Sequence, residues 1–177
     1  MDDGAERKAF LVATPFFGGL EDEQLDLVIA RLVERKLPAT ASVFAEGEQG
    51  RSMYIVRSGE LMKYQSSESG HMVKLMRFHQ GDFFGETTLI EMQPRQFTVV
   101  AESESHLYEL TAMDLYAIYQ QDIKAYVMIL QNINRELCRR LRKADDRITS
   151  FADEFKKSGT MITPGIGKIR RSILPDK

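Results

Sequence analysis

A glycine, a carboxylate and an arginine set at short spacing carry the chemistry that this chain of 177 residues could do. Residues 81–101 read GDFFGETTLIEMQPRQFTVVA. Turn chemistry at Gln80-Gly81-Asp82 is followed by two aromatics and then by Gly85-Glu86. A short helical patch comes next, with Thr87, Thr88, Leu89 and Ile90. Pro94 stops it, because proline neither donates to a helix nor continues one. Arg95 follows, and Phe97, Val99 and Ala101 alternate away from it as a strand. This layout suits phosphate capture. A helix N-terminus leaves backbone N–H groups unpaired and carries partial positive charge. Gly85 has no Cβ, so the backbone can come close to a ligand. Arg95 offers a planar fork of donors that matches phosphate oxygens. Glu86 only accepts hydrogen bonds when ionised, so its natural partner is a sugar hydroxyl. Together they predict a site for a ribose that bears a phosphate.

The elements that must hold these residues follow from periodicity. Residues 4–13 read as a short helix ended by Thr14-Pro15. A second helix carries the apolar stripe Leu25, Val28, Ile29, Leu32 and Val33, with Glu21, Asp22 and Glu23 enriching its first turn in acid. From Leu37 to Ala112 the period changes to two. Strands are expected at 41–45, 53–57, 60–65, 71–78, 96–102 and 106–111, with turns at Gly47, Gly50, Gly59 and Gly70. Short strands at regular spacing point to a sandwich or jelly roll. Helical period returns at 112–120. A longer helix starts at Asp122, a fair N-cap, and runs to about Lys157. Ile123, Tyr126, Leu130, Ile133, Leu137, Leu141, Ala144, Ile148, Phe151 and Phe155 form a heptad seam with one stutter at Leu141. Its first part is expected to pack on the roll and its second on a twin helix. Gly159 ends it.

At this point the residues support a resemblance. FGETTLIEMQPRQFTV is similar to the phosphate-binding cassette of cyclic nucleotide-binding domains, matching it at Phe84, Gly85, Glu86, Leu89, Pro94, Arg95, Thr98 and Val99. PFFGGLEDEQLDLVIARL resembles the family's N-terminal helices. FAEGEQGRSMYIVRSGELMKY resembles its turn-strand-turn signature, with Gly47 and Gly59 in place and the glycine usual near Thr40 missing. The resemblance implies an α+β fold: an antiparallel, jelly-roll-like β-roll flanked by N-terminal helices and a long C-terminal helix. It divides the chain into N-terminal helices at 1–35, a nucleotide-binding roll at 36–121 with its cassette at 83–99, a lid and dimer helix at 122–158, and a basic flexible tail at 159–177.

The resemblance also implies roles. Glu86 takes the ribose 2′-hydroxyl, Arg95 the cyclic phosphate, and amides near Gly85, Thr87 and Thr88 help hold the phosphate. Met76 and Phe78 stand on one face of the strand leading into the cassette and either pack on the purine or belong to the core. Met62 reads as core. Gln96 stands where cGMP-preferring members carry a hydroxyl, and Thr88 is bulkier than the usual alanine. A residue of the C-terminal helix closes over the base: Arg140 in one register, Ala144 and Asp145 in the other.

Charge is unevenly spread. Residues 1–134 hold 12 Lys/Arg against 20 Asp/Glu, and residues 135–177 hold 12 against 6. The basic half reads as a solvated helix face with a loose tail, with an acidic docking partner or a weak nucleic-acid contact as alternatives. A lone cysteine, Cys138, fits a reducing compartment. No stretch reaches transmembrane length, and Met1-Asp2-Asp3 is unlike a signal peptide. No general base, metal carboxylate set or activated nucleophile points to an enzyme. The expected protein is a cytoplasmic, homodimeric sensor of a cyclic mononucleotide. Its ligand is cAMP, with cGMP as the alternative, and it needs no cofactor or metal. It signals to an unidentified effector protein through its C-terminal helix, with neither membrane nor nucleic acid as partner. The competing reading is an interaction module of the same fold that no longer binds nucleotide.

Overall fold

A computed structural model describes residues 3–157. Three helical pieces open the chain: α1 (Asp3–Val12), a 3-10 turn (Pro15–Phe17) and α2 (Asp22–Ile29). Then come β1 (Val33–Leu37), β2 (Ser42–Phe44), β3 (Ser52–Ser58), β4 (Leu61–Ser66), β5 (Met72–Phe78) and β6 (Phe83–Phe84). The cassette helix α3 (Thr87–Glu91) separates these from β7 (Thr98–Ala101) and β8 (Ser105–Thr111). Two helices close the described chain, α4 (Ala112–Gln121) and α5 (Ile123–Lys157). Contacts divide it into two compact units, Met1–Glu136 and Leu137–Lys177. The tail expected at 159–177 lies outside the described residues.

The strands form two antiparallel four-stranded sheets, ordered β1-β8-β3-β6 and β2-β7-β4-β5. Side chains alternate across each strand, so one face of each sheet supplies the core. Phe44, Val56, Leu61, Phe78, Phe84, Phe97, Val99, Ala101 and Leu107 make that core. Phe84 stacks on Phe78 at 4.7 Å and on Tyr54 at 5.5 Å between ring centroids. Its neighbour Phe83 points the other way and meets Phe16 of the 3-10 turn edge-on at 5.4 Å. One two-residue strand thus joins the sheet core to the helical layer. The β-roll with flanking helices expected from the sequence is the fold observed.

Two element readings are corrected. Val33 does not continue the second helix: α2 stops at Ile29, and Val33 opens β1 opposite Glu109 of β8. β1 is an exposed edge strand, held by backbone pairing and by Arg35–Glu109 and Arg57–Glu34 ion pairs. Tertiary pairing overrides local pattern there. In the first unit the buried face of α5 is also rotated from the expected seam. Ala125, Ile129 and Asn132 are buried beside it; of the expected seam Ile133 is buried, Tyr126 and Leu130 are half-buried and Ile123 is exposed. Asn132 explains the offset. Its amide donates to the carbonyls of Phe16 at 2.9 Å and Gly18 at 2.8 Å, and its oxygen accepts from Arg135 at 2.7 Å. A satisfied polar group replaces an apolar one in the stripe.

Asp122 does cap α5. Its Oδ1 accepts from the backbone N–H groups of Lys124 and Ala125 at 2.8 and 3.0 Å. Gln24 of α2 donates to its other oxygen at 3.0 Å. These bonds, with that from Ala125 strongest, hold its carboxyl below the ordinary aspartate value. In the second unit α5 carries Leu141, Ile148 and Phe151 exposed.

Candidate functional site

The backbone of Arg95 is fixed before its side chain reaches anything. Its N–H donates to the carbonyl of Glu48 and its own carbonyl accepts from Gly47 N–H, both at 2.8 Å. The side chain then turns inward and is only 4% exposed. Nη1 donates to the carbonyl of Gly85 at 3.2 Å and to Thr88 Oγ1 at 2.7 Å. Nη2 donates to Ser52 Oγ at 3.3 Å. Nε is buried with no hydrogen-bond partner. The Phe44 ring covers one face of the guanidinium, its centroid 4.0 Å from Cζ. Burial lowers the pKa of Arg95 below arginine's ordinary value, while Tyr54, Glu48, Glu109 and Glu86 push it back up.

Two glycines make this fit possible. Gly85 has φ +82°, and a Cβ there would stand 2.8 Å from Arg95 Nη1 and 3.1 Å from the Ser52 carbonyl. A Cβ on Gly50 would stand 2.6 Å from Arg95 Cζ and 2.7 Å from Nη2, and closer still to Nε. Gly85 also needs the left-handed conformation that side chains disfavour. The sequence reading recognised Gly85 and treated Gly50 only as a turn.

Glu86 is 3% exposed and sits at the N-cap of α3, where its carbonyl accepts from Leu89 N–H at 3.0 Å. Its carboxylate does not cap the helix. Thr88 donates its hydroxyl to the Gly85 carbonyl at 2.7 Å while accepting from Arg95. The bulk that set Thr88 apart from alanine is therefore used, because the hydroxyl ties arginine and glycine together. α3 ends at Glu91, with Met92 in the left-handed region at φ 54°, ahead of Pro94. Thr87 is half-buried, and Gln96 is exposed and donates to Glu91 at 3.2 Å.

Phe84 and Phe78 are both core residues, stacked on each other. Met76 is half-buried against the same cluster and lies opposite Lys63 of β4. Lys63 Nζ lies 3.9 Å from the centroid of Phe97. Arg140, Ala144 and Asp145 belong to the second unit, and the remaining predicted site residues to the first. The structure thus brings Gly85, Glu86, Thr88 and Arg95 together. It adds Phe44, Gly50, Ser52 and Tyr54, to which sequence reasoning assigned no role at the arginine because they reach Arg95 from distant parts of the chain. Among the described residues no group of His, Cys, Asp and Glu is arranged to hold a metal.

Thr40 lies where the usual glycine is missing, and its φ of 70° is the glycine conformation. Ala41 N–H donates to the Pro38 carbonyl at 3.2 Å, closing a turn with Thr40 third. A β-branched residue at positive φ is strained.

Comparison with known proteins agrees with this geometry. Residues 34–122 match the cyclic nucleotide-binding domain family. The cyclic AMP receptor protein of Thermus thermophilus is 30% identical over 132 residues, covering 75% of this chain and 59% of that protein. The regulatory domain of Toxoplasma gondii PKA, crystallised with cAMP, superposes with a TM-score of 0.61 at 32% identity, covering 67% of this chain and 46% of that one. A cyclic nucleotide-binding domain from Methylobacillus flagellatus shares the fold, with a TM-score of 0.77 at 19% identity over 82% of this chain and 84% of that one. The chain spans about three fifths of the Thermus receptor's length and, at 27%, about a quarter of the Aspergillus niger cAMP-dependent protein kinase regulatory subunit.

Proposed function

Because the chain belongs to the cyclic nucleotide-binding domain family, we propose that it is a sensor of a cyclic mononucleotide, with cAMP as its ligand and cGMP as the competitor to be tested. One observation carries the reading: Arg95 is a buried cation whose Nε has no hydrogen-bond partner. A buried donor left unmet costs about 1–3 kcal/mol, more when charged. An anionic acceptor relieves that cost, and a phosphate oxygen fits a guanidinium edge. In this reading Arg95 takes the cyclic phosphate with backbone amides near Gly85, Thr87 and Thr88. Glu86 takes the ribose 2′-hydroxyl. Met76 forms the wall for the base, with Phe78 and Phe84 packed behind it, and Gln96 stands at the rim. Arg140, or Ala144 with Asp145, closes over the purine.

The output runs through residues 122–158 as a population shift between two placements of the C-terminal helix, read by an effector protein. The exposed Leu141, Ile148 and Phe151 support a homodimer along that helix. The chain is proposed to act by binding, without catalysis.

The test is isothermal titration of the full chain with cAMP and cGMP, beside Arg95→Ala. Micromolar or tighter binding that the variant abolishes supports the reading. Undiminished binding by the variant refutes the role of Arg95. A second reading rests on the Nη donors of Arg95, which Gly85, Thr88 and Ser52 already engage. A pocket satisfied from within could serve as an interaction module without ligand. Absence of heat with either nucleotide in a folded protein favours that reading.

A further inference from the structure

Arg95 has no carboxylate directly on its guanidinium, yet a line of hydrogen bonds leads from it to one. Nη2 donates to Ser52 Oγ at 3.3 Å. Ser52 Oγ donates to Tyr54 Oη at 3.1 Å, and Tyr54 Oη donates to Glu109 Oε1 at 3.3 Å. Each hydroxyl accepts one bond and gives one, so the donors all point the same way and end on an anion. The other oxygen of Glu109, Oε2, accepts from Arg35 Nε at 2.6 Å. Sheet register builds the line. Ser52 and Tyr54 are two apart on β3 and so share a face. Tyr54 pairs with Glu109 across the β3–β8 ladder, and Arg35 stands diagonal to Glu109 on β1.

We infer that Ser52, Tyr54 and Glu109 are positioning residues for Arg95, an ordered relay that delivers the Glu109 charge to the arginine through two hydroxyls. The inference rests on the reading of Arg95 as the phosphate ligand, but the relay itself can be tested without ligand. Its physical basis is the low dielectric around Arg95, where a counter-charge acts over longer distances and aligned bonds polarise one another. The shared burial of its members fits this: Ser52 is buried, Tyr54 half-buried, and Glu109 keeps only 13% of its side chain exposed. Burial also holds the Tyr54 phenol above tyrosine's ordinary pKa, so it stays a donor through the physiological range. Arg35 occupies the second Glu109 oxygen and so keeps the first turned to Tyr54. The relay fixes the rotation of the guanidinium about its own axis and hence which of its N–H groups face a phosphate.

Tyr54→Phe removes one hydroxyl from the middle of the relay and keeps the ring that stacks on Phe84. The first measurement is the 15N spectrum of the Arg95 guanidinium in unliganded protein. Wild type should give a resolved Nε–H signal with slow rotation about Cζ–Nε. Tyr54→Phe, Ser52→Ala and Glu109→Gln should each speed that rotation, and the double variant Ser52→Ala/Tyr54→Phe should match Ser52→Ala alone. The second measurement is cAMP affinity, expected to fall about five-fold in Tyr54→Phe, the equivalent of one net hydrogen bond. That loss should vanish in an Arg95→Lys background, where no guanidinium remains to orient. Unchanged guanidinium dynamics in folded Tyr54→Phe overturn the relay, whether or not cAMP binds. Altered dynamics in a protein that binds no cyclic nucleotide keep the relay and overturn the sensor reading. Equal affinity losses in the wild-type and Arg95→Lys backgrounds would reduce Tyr54 to a packing residue and overturn the inference.

Discussion

Gly50→Ala is the smallest perturbation that reaches the arginine without touching any hydrogen-bonding group. The added methyl would stand 2.6 Å from Arg95 Cζ and 2.7 Å from Nη2. Carbon centres do not approach that closely, so something must move by several tenths of an ångström. A clash with the end of a long side chain is usually cheap, because the side chain swings away. Arg95 has nowhere to swing. Phe44 covers one face at 4.0 Å, its Nη groups are tied to Gly85, Thr88 and Ser52, and its backbone is bonded to Gly47 and Glu48. Retreat breaks at least one charge-assisted bond, worth about 1.5–3 kcal/mol. Resisting the retreat means overpacking, at about 1–3 kcal/mol. Both routes predict a loss of roughly 2–3 kcal/mol, or a fall of about 4–12 °C in Tm for a domain of this size. Urea unfolding of wild type and variant measures it. Gly47→Ala is the control: its φ is +86° but a Cβ there meets nothing within 4 Å. That change should cost only the left-handed penalty, about 1–2 kcal/mol, and should spare cAMP affinity. A Gly50→Ala loss below about 0.5 kcal/mol, with cAMP affinity intact, would refute the claim that Arg95 is pinned, since surface substitutions away from any such feature fall in that range.

Thr40→Gly should stabilise the protein by roughly 0.5–1 kcal/mol, because relief of positive-φ strain exceeds the entropy that glycine adds to the unfolded chain; a lower urea midpoint would contradict this. Glu86→Gln should weaken cAMP more than 2′-deoxy-cAMP by titration, since only the former has the hydroxyl that Glu86 is assigned; equal losses would make Glu86 structural. The folded-state pKa of Asp122 is depressed, so the stability it contributes is present above its unfolded pKa and is lost as pH falls through the folded value. Asp122→Ala should therefore be less stable than wild type at neutral pH, and the gap should narrow as pH falls below the ordinary aspartate value and through the depressed folded one; a gap that persists undiminished in acid would remove the cap from the explanation. Leu141→Glu with Ile148→Glu should give a monomer by light scattering while the wild type is a dimer at micromolar concentration, and a monomeric wild type would refute the seam.

The cassette was legible because its information is local. Gly85, Glu86 and Arg95 lie within eleven residues, and each type has a narrow chemical use. The setting of Arg95 was not legible. Ser52 reaches it from 43 positions away, Phe44 from another strand, and neither residue type singles itself out. The edge strand β1 was missed because VERKL exposes most of its side chains and has no alternation to reveal it. The α5 face was misread for a related reason. A search for apolar period passes over Asn132, the residue that sets which side of the helix turns inward. The other strands, β6 apart, were read to within two residues of their ends, since period two with glycine turns is a strong signal where one sheet face is more buried than the other.

Asn132 has a further consequence, for the freedom of α5 in the first unit. Two carbonyls, of Phe16 and Gly18, meet one amide group that holds both hydrogens. Turning the helix by one residue rotates that group by about 100° and strands both carbonyls and the amide at once. Sliding it by a turn does the same. Neither a small rotation nor a small slide offers a halfway state: Ile133 on one side has no side-chain donor, and Gln131 on the other is exposed and carries its amide one methylene farther out, so neither takes the place of Asn132 without rearrangement. The helix is therefore indexed, with one angular phase and one axial position relative to the Phe16–Gly18 turn. Movement of the start of α5 must either carry that turn with it or break both bonds together. A fluorophore or spin label on the turn would accordingly report the same event as one placed on the helix.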